Sequence, residues 1–527
     1  MNPFLFGMLL SMLAYIFIGV LISSKVRNAN DFFVAGRNAP VFLLVGSLVA
    51  SYASTGLYFG DAGESFAGLF APLMGVDTLQ VAGYILGGVF FGRYIRRSEC
   101  VTIPEFLGKR FNSLKVQKLA AITELISISV YLLATMQGIG TLMTLVTDID
   151  YTLCILLALV TFTILTAASG SKGVLITDTI MFGFFTIITI IVILAMINGG
   201  GGWFHVVETL AQKFPSKLAA GGDPSYLYPT AAQNFLWMLC YGIVWMSVCM
   251  VGPWQATRYL MAKDEHAVIR SSIIAAFFVF LIEFFVITGA VLLNYFEPPL
   301  ESPSHIIVWA ATHLVPLSLG VIMLTGVLAA GISSATTFLS IIGSAVANDL
   351  VRIRDGRKKL MAGRIAIIMS ATAVMLLAAW NPPQVFWIMF LGATVIACSW
   401  LPVCVASIWS RRITKAGAFT GMLLGFVGCG AAKIYTSIAG IKPPLYLDPF
   451  FVGLVLNILG IVIASSLTKV TPEETRERQA LFVMPESEKN PTQIRVTKRI
   501  VFASIGMGAL FTAIFLILWV IPYTQVR

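Results

Sequence analysis

Charge is scarce in this sequence. Asp, Glu, Lys and Arg make up 11% of its 527 residues, where soluble domains average about a quarter. With 58% hydrophobic residues, a water-soluble fold is excluded and the bilayer becomes the solvent. Histidine is nearly absent. The four present, His205, His266, His305 and His313, are dispersed, which argues against a metal centre or nucleophile built on them. None of the seven cysteines forms a CxxC pair, and most lie in apolar runs. They read as small apolar side chains rather than disulfides or metal ligands. A phosphate-binding P-loop is missing, so ATP-driven work by this chain alone is not expected. The longest polar stretches, 198–231 and 468–498, are too short for a nucleotide-binding or kinase domain. The first apolar run has no basic start and no small-residue cleavage site, so it reads as a retained segment. No expected external loop carries an N-x-S/T sequon, which favours a bacterial source.

What is abundant is apolar runs of about 20 residues or more, which select helices over the ten-residue alternation of a barrel. Fourteen spans are expected, near 4–24, 41–70, 77–95, 116–147, 151–169, 172–197, 232–256, 264–295, 305–350, 360–381, 384–410, 414–438, 448–467 and 499–522. The spans 41–70 and 305–350 are too long for one straight crossing and each should contain a break or a stretch outside the bilayer. With both termini outside, 30 of the 35 Lys and Arg residues fall in cytoplasmic connections. That asymmetry supports the count, the orientation and a plasma-membrane location. The net charge of +10 then faces anionic inner-leaflet lipid, and nucleic acid is not expected as a partner.

Two spans look interrupted. The stretch SLVASYASTGLYFGDAGESFAG lies in 41–70, and CYGIVWMSVCMVGP lies in 232–256 with Gly242, Gly252 and Pro253. Breaks at the first and sixth elements of a series point to an inverted-repeat transporter, five helices in 41–197 and five more in 232–410. Unwound segments free carbonyls that can coordinate a cation. A second feature is LAAGISSATTFLS at 328–340, where Ser333, Thr336, Thr337 and Ser340 share one helix face with Ser344, one turn beyond. Hydroxyls and small residues can simply be a helix-packing face. Asp178, in KGVLITDTIMFGFF, shifts the balance, because an acid inside a span costs roughly 3 kcal/mol and needs a partner. It reads as a cation ligand or proton carrier completing the hydroxyl face.

Several motifs together resemble the sodium/solute symporter family, whose bacterial members include transporters of galactose, proline, pantothenate and sialic acid. They are DFFVAGR at 31–37, TIPEFLGKRF at 102–111, LITDTIM at 175–181, QATRYLMAKD at 255–264 and AAGISSATT at 329–337. The family's glutamine after its TD motif is Met181 here. The resemblance implies an all-α, leucine-transporter-like fold of 5+5 inverted repeats with extra flanking helices. Residues 1–40 and 411–527 would flank the repeats, with 198–231 an external loop and 468–498 a cytoplasmic linker. It further implies sodium-coupled uptake of a small organic solute, of amino-acid, sugar or carboxylate type, by alternating access, with no cofactor beyond sodium, no catalysis and no obligate protein partner. The main sodium site would comprise the carbonyls of Ala50, Ala53 and Ala330 with the hydroxyls of Ser333 and Ser334. A second sodium site would use Asp178, Ser333, Thr336 and Thr337. The solute would meet Tyr52, Ser54, Thr55, Asp77, Gln80, Trp245 and Val248. If Asp77 faces that pocket, an amine or a hydroxyl-rich solute is favoured over a simple carboxylate. The rival readings are proton coupling through Asp178, a solute sensor signalling through the basic loops, and a channel.

Overall fold

The computed structural model describes every residue except 1, 25, 27, 352, 354, 381–383, 441–442 and 527. Of the basic residues counted above, Lys25, Arg27, Arg352, Arg354, Lys442 and Arg527 therefore lie outside the described residues. The described residues form helices and no strand beyond one isolated bridge, Ala39 with Ala262. Twelve of the helices are long and apolar enough to cross a membrane.

The helices that build the centre are α1 (Pro3–Ser23), α2 (Val41–Tyr52), α3 (Phe70–Leu86), α4 (Leu114–Thr147), α5 (Tyr151–Gly199), α6 (Ala231–Val251), α7 (Pro253–Met261), α8 (Glu265–Leu292) and α9 (Leu317–Ser344). Beyond them come α10 (Gly356–Trp380), α11 (Val385–Trp409), α12 (Lys415–Ala439), α13 (Pro449–Ser466) and α14 (Pro491–Phe515). Burial separates two classes. The most apolar windows of the spans containing α8 and α9 are 78% and 72% buried, while those of α12 and of the span beginning with α14 are 17% and 6% buried. The first class forms the core and the second presents apolar faces outward.

Twelve apolar helices against fourteen expected spans has a geometric cause. The expected spans 151–169 and 172–197 join in α5, whose 49 residues would reach about 74 Å if straight, more than twice a ~30 Å hydrocarbon core. Gly170, at φ 55° and ψ −158°, bends it in conformational space that a side chain would resist. Around 41–97 the chain divides elsewhere than expected. The short α2 ends at Tyr52, and an irregular helical run from Gly56 leads into α3, with wide turns at Gly56–Asp61 and Ser65–Leu69. The overlong 305–350 stretch does break: a short helix, Ile306–His313, precedes α9.

Both interrupted spans are interrupted, at different depths. In the first, Ala53 leaves the helix at ψ 95° after 12 residues. In the second, Gly252 leaves it at ψ 144° after 21 residues, and Pro253 opens α7. Pro253 has no N–H to give to a continuing helix, while its fixed φ suits a first turn. Gly242 is not a break. It lies inside α6, where an added Cβ would come within 2.3 Å of the Leu79 side chain, so it serves close packing on α3.

The polar 468–498 stretch is ordered. Pro472–Ala480 is a helix capped reciprocally by Thr471 and Glu474. Buried Arg110 donates to the Glu474 carbonyl at 3.0 Å, and Arg97 to the Leu481 carbonyl at 2.7 Å.

Candidate functional site

The break after Tyr52 creates the site. The last turn of a helix leaves carbonyls without partners, and the bond from Ala53 N to Val49 O, at 2.9 Å, is the one that closes this end. Facing it is α9, whose residues 323–344 are all buried. Ser334 Oγ lies 3.4 Å from the Ala50 carbonyl and 3.3 Å from that of Ser51. Ala330 precedes Ser334 by one turn on the same face. The fold thus brings the α2 end and the hydroxyl stripe together.

Two glycines allow that approach. A Cβ at Gly138 would sit 2.4 Å from Thr55 Oγ1, and one at Gly331 would sit 2.8 Å from Thr55 Cγ2. The Thr55 hydroxyl donates to the Thr135 carbonyl at 3.1 Å. Thr55 therefore wedges the break between α4 and α9. Gly138→Val should displace the wedge, cost about 1–3 kcal/mol by overpacking, and depress uptake more than expression. Unaltered thermal stability and uptake would show that the wedge is slack.

Asp178, on α5, is fully buried. Its Oδ1 accepts from Ser333 Oγ at 2.6 Å. Its Oδ2 accepts from Ser47 Oγ at 2.6 Å, from Arg258 Nη2 at 3.2 Å and from Thr337 Oγ1 at 3.5 Å. Arg258, on α7, is itself buried, and its Nε donates to Ser47 Oγ at 2.9 Å while Nη2 also donates to Thr337. The carboxylate thus has a fixed positive partner. Of the four residues assigned to a second ion site, Asp178, Ser333 and Thr337 meet. Thr336 turns back to the Ser333 carbonyl at 2.8 Å, the ordinary use of a hydroxyl within a helix. Ser340 and Ser344 also serve packing: Ser340 bonds Ser171 and Ser344 bonds the Ile341 carbonyl, each at 2.8 Å.

Beside the break lies a ring of aromatic side chains. Tyr52 meets Trp245 edge-on at 6.1 Å and Tyr84 at 6.4 Å, and Tyr131 lies 6.3 Å from Trp245. Val248 is buried one turn along α6 from Trp245, and Ser54 Oγ accepts from Gly56 N at 3.0 Å. Asp77 and Gln80 are both buried on one face of α3, and Gln80 Nε2 donates to Glu283 of α8.

Sequence reasoning missed Arg258 and Glu283. Arg258 lies between the expected spans 232–256 and 264–295 and so falls among the basic residues of a cytoplasmic connection. Glu283 interrupts the apolar run FFVFLIEFFVI, the same signal that singled out Asp178, and Glu124 on α4, also buried, carried it too.

Residues 32–425 match the sodium:solute symporter family. The chain belongs to that family. It is thus a multi-pass membrane transport protein of a family whose coupling ion is sodium. It is 24% identical over 458 residues to the sodium/pantothenate symporter of Escherichia coli (strain K12), spanning 85% of this chain and 92% of that one. It is 22% identical over 502 residues to the sodium/proline symporter of Salmonella typhimurium (strain LT2), spanning 90% and 94%. Its fold is similar to that of a substrate-bound, outward-open Na+-coupled sialic acid symporter, with a TM-score of 0.74 at 17% identity, covering 89% of this chain and 99% of the other. A nucleobase-cation-symport-1 family transporter in a closed conformation is also similar, with a TM-score of 0.54 at 11% identity, covering 85% and 98%.

Proposed function

We propose that this symporter couples inward movement of one sodium ion to uptake of one small organic solute by alternating access. The observation carrying this reading is the approach of Ser334 Oγ to the Ala50 and Ser51 carbonyls at the end of the broken α2. Neutral oxygens from a helix end and from hydroxyls suit a hard, weakly charged cation. In this reading Ala50, Ala53, Ala330, Ser333 and Ser334 hold sodium. Bound sodium orders the unwound segment beside Tyr52 and Ser54, so the solute binds better, and by linkage the solute tightens sodium.

One ion is favoured over two. A second sodium at Asp178 would have to displace Arg258 Nη2, 3.2 Å from Oδ2, and Thr336 is already engaged by its own helix. At about −150 mV one inward charge supplies ~3.5 kcal/mol, or ~350-fold accumulation of a neutral solute. The reading includes fourteen crossings, with five-helix repeats over 41–197 and 232–410 related by inversion, and both termini outside.

The test is a thermal-shift screen of the purified protein against solutes, with and without sodium. A ligand of the native state raises stability by mass action. A solute shift that grows with sodium, together with electrogenic uptake of Hill coefficient near 1 for sodium, is the expected result. Uptake that ignores sodium and collapses with the pH gradient would replace sodium by protons.

A further inference from the structure

Glu283 and Asp77 form a pair that the sodium site does not use. Glu283 lies on α8, 1% exposed, and Asp77 on α3, 5% exposed. The two helices meet through Gln80, one turn from Asp77 on the same face, whose amide donates to Glu283 Oε1. Tyr84, one turn beyond Gln80 on α3, packs edge-on against Tyr52, the last residue of α2, at 6.4 Å. The outer oxygens, Asp77 Oδ2 and Glu283 Oε2, are buried and make no hydrogen bond within the described residues. No lysine or arginine ion-pairs with either acid among those residues. Asp61, 8% exposed, is a further buried carboxyl, on the run between α2 and α3. The contrast with Asp178 is direct. There the fold supplies an arginine, two serine hydroxyls and a threonine hydroxyl, and here the described residues supply one amide for two acids.

Buried carboxylates without a counter-charge are strongly unfavourable, so these acids either take up protons or meet a cation from outside the fold. The walls indicate its kind. Tyr52 packs against Trp245 and Tyr84, and Tyr131 against Trp245, and aromatic faces attract organic cations. A sodium ion would want a shell of oxygens, which aromatic rings do not provide. We infer that the solute is a small organic cation whose ammonium group is held between Asp77 and Glu283 against the Tyr52–Trp245 aromatic wall. This rests on the symport reading above and adds the substrate class. Gln80 then acts as a positioning residue that fixes the Glu283 carboxyl. Such a solute would enter down the membrane potential on its own charge as well as sodium's.

The test uses the full-length protein in detergent and in proteoliposomes, with choline, ethanolamine and putrescine as probes and pantothenate as a carboxylate without an ammonium group. The expected result is a sodium-enhanced thermal shift with at least one amine and none with pantothenate. Glu283→Gln and Asp77→Asn, which keep shape and remove charge, should each weaken that amine at least tenfold while leaving the shift caused by sodium alone unchanged. A sodium shift without any amine shift overturns the substrate class and leaves the coupling ion standing. Amine binding undiminished in both variants overturns the site. A pantothenate shift, or uptake driven by a pH gradient in sodium-free vesicles that Glu283→Gln abolishes, also overturns it, the latter by making the pair a proton carrier. An amine shift that sodium does not enhance supports the site and removes the coupling instead.

Discussion

Asp178→Asn should destabilise the folded protein by about 3–5 kcal/mol, because it leaves Arg258 buried with no counter-charge. The guanidinium lies inside the core, 2% exposed at its side chain, 3.2 Å from a carboxylate that is fully buried. Arg258→Met should cost a comparable amount through the stranded Asp178, even though Ser47 and Ser333 still donate to it at 2.6 Å. The double variant should recover much of the loss, since a buried pair replaced as a whole by neutral side chains is often nearly neutral. The non-additivity identifies coupling between neighbours. Denaturant unfolding of the four proteins in one detergent closes the cycle. Additive losses would mean that the two side chains act independently. Arg258→Met carries a second expectation. With the competing cation gone, the Asp178 carboxylate is free to accept sodium, so the Hill coefficient for sodium should rise above that of the wild type.

Ser334→Ala should raise the sodium concentration for half-maximal uptake at least tenfold, the equivalent of ~1.4 kcal/mol in binding, with little change in stability. Its hydroxyl hydrogen-bonds two carbonyl oxygens among the described residues, those of Ala50 and Ser51 at 3.4 and 3.3 Å. Ser333→Ala should weaken sodium as well, but through two routes, because Ser333 Oγ also donates to Asp178 Oδ1 at 2.6 Å. It should therefore lower thermal stability where Ser334→Ala does not. Sodium titrations of uptake and of thermal shift separate the two. Normal sodium dependence in both variants would remove these serines from the ion site and return the stripe to helix packing.

The stripe at 328–340 shows where reading along the chain stops. Helical periodicity placed Ser333, Thr336, Thr337, Ser340 and Ser344 on one face, but periodicity assigns a face and not a partner. In the folded protein that face divides. Ser334 turns to the α2 carbonyls, Ser333 and Thr337 to Asp178, Ser340 to Ser171, and Thr336 and Ser344 to their own helix. Asp178 itself was legible, since a charge in an apolar run demands a partner. Which partner was not legible, because Arg258 lies 80 residues away, beyond a Gly–Pro break and just past the expected end of span 232–256.

The sequence by itself determined that this chain crosses a membrane many times as helices, that spans 41–70 and 232–256 are interrupted, and that it resembles the sodium/solute symporters. Each of these follows from local properties: apolar run length, Gly and Pro placement, and contiguous motifs. Tertiary structure alone decided how charge is balanced in the core. Arg258 closes on Asp178, while Glu283 and Asp77, buried on α8 and α3 and linked through Gln80, meet no lysine or arginine among the described residues. The cost of a buried charge is set by what lies within a few ångströms in space, and that neighbourhood is assembled from helices far apart along the chain.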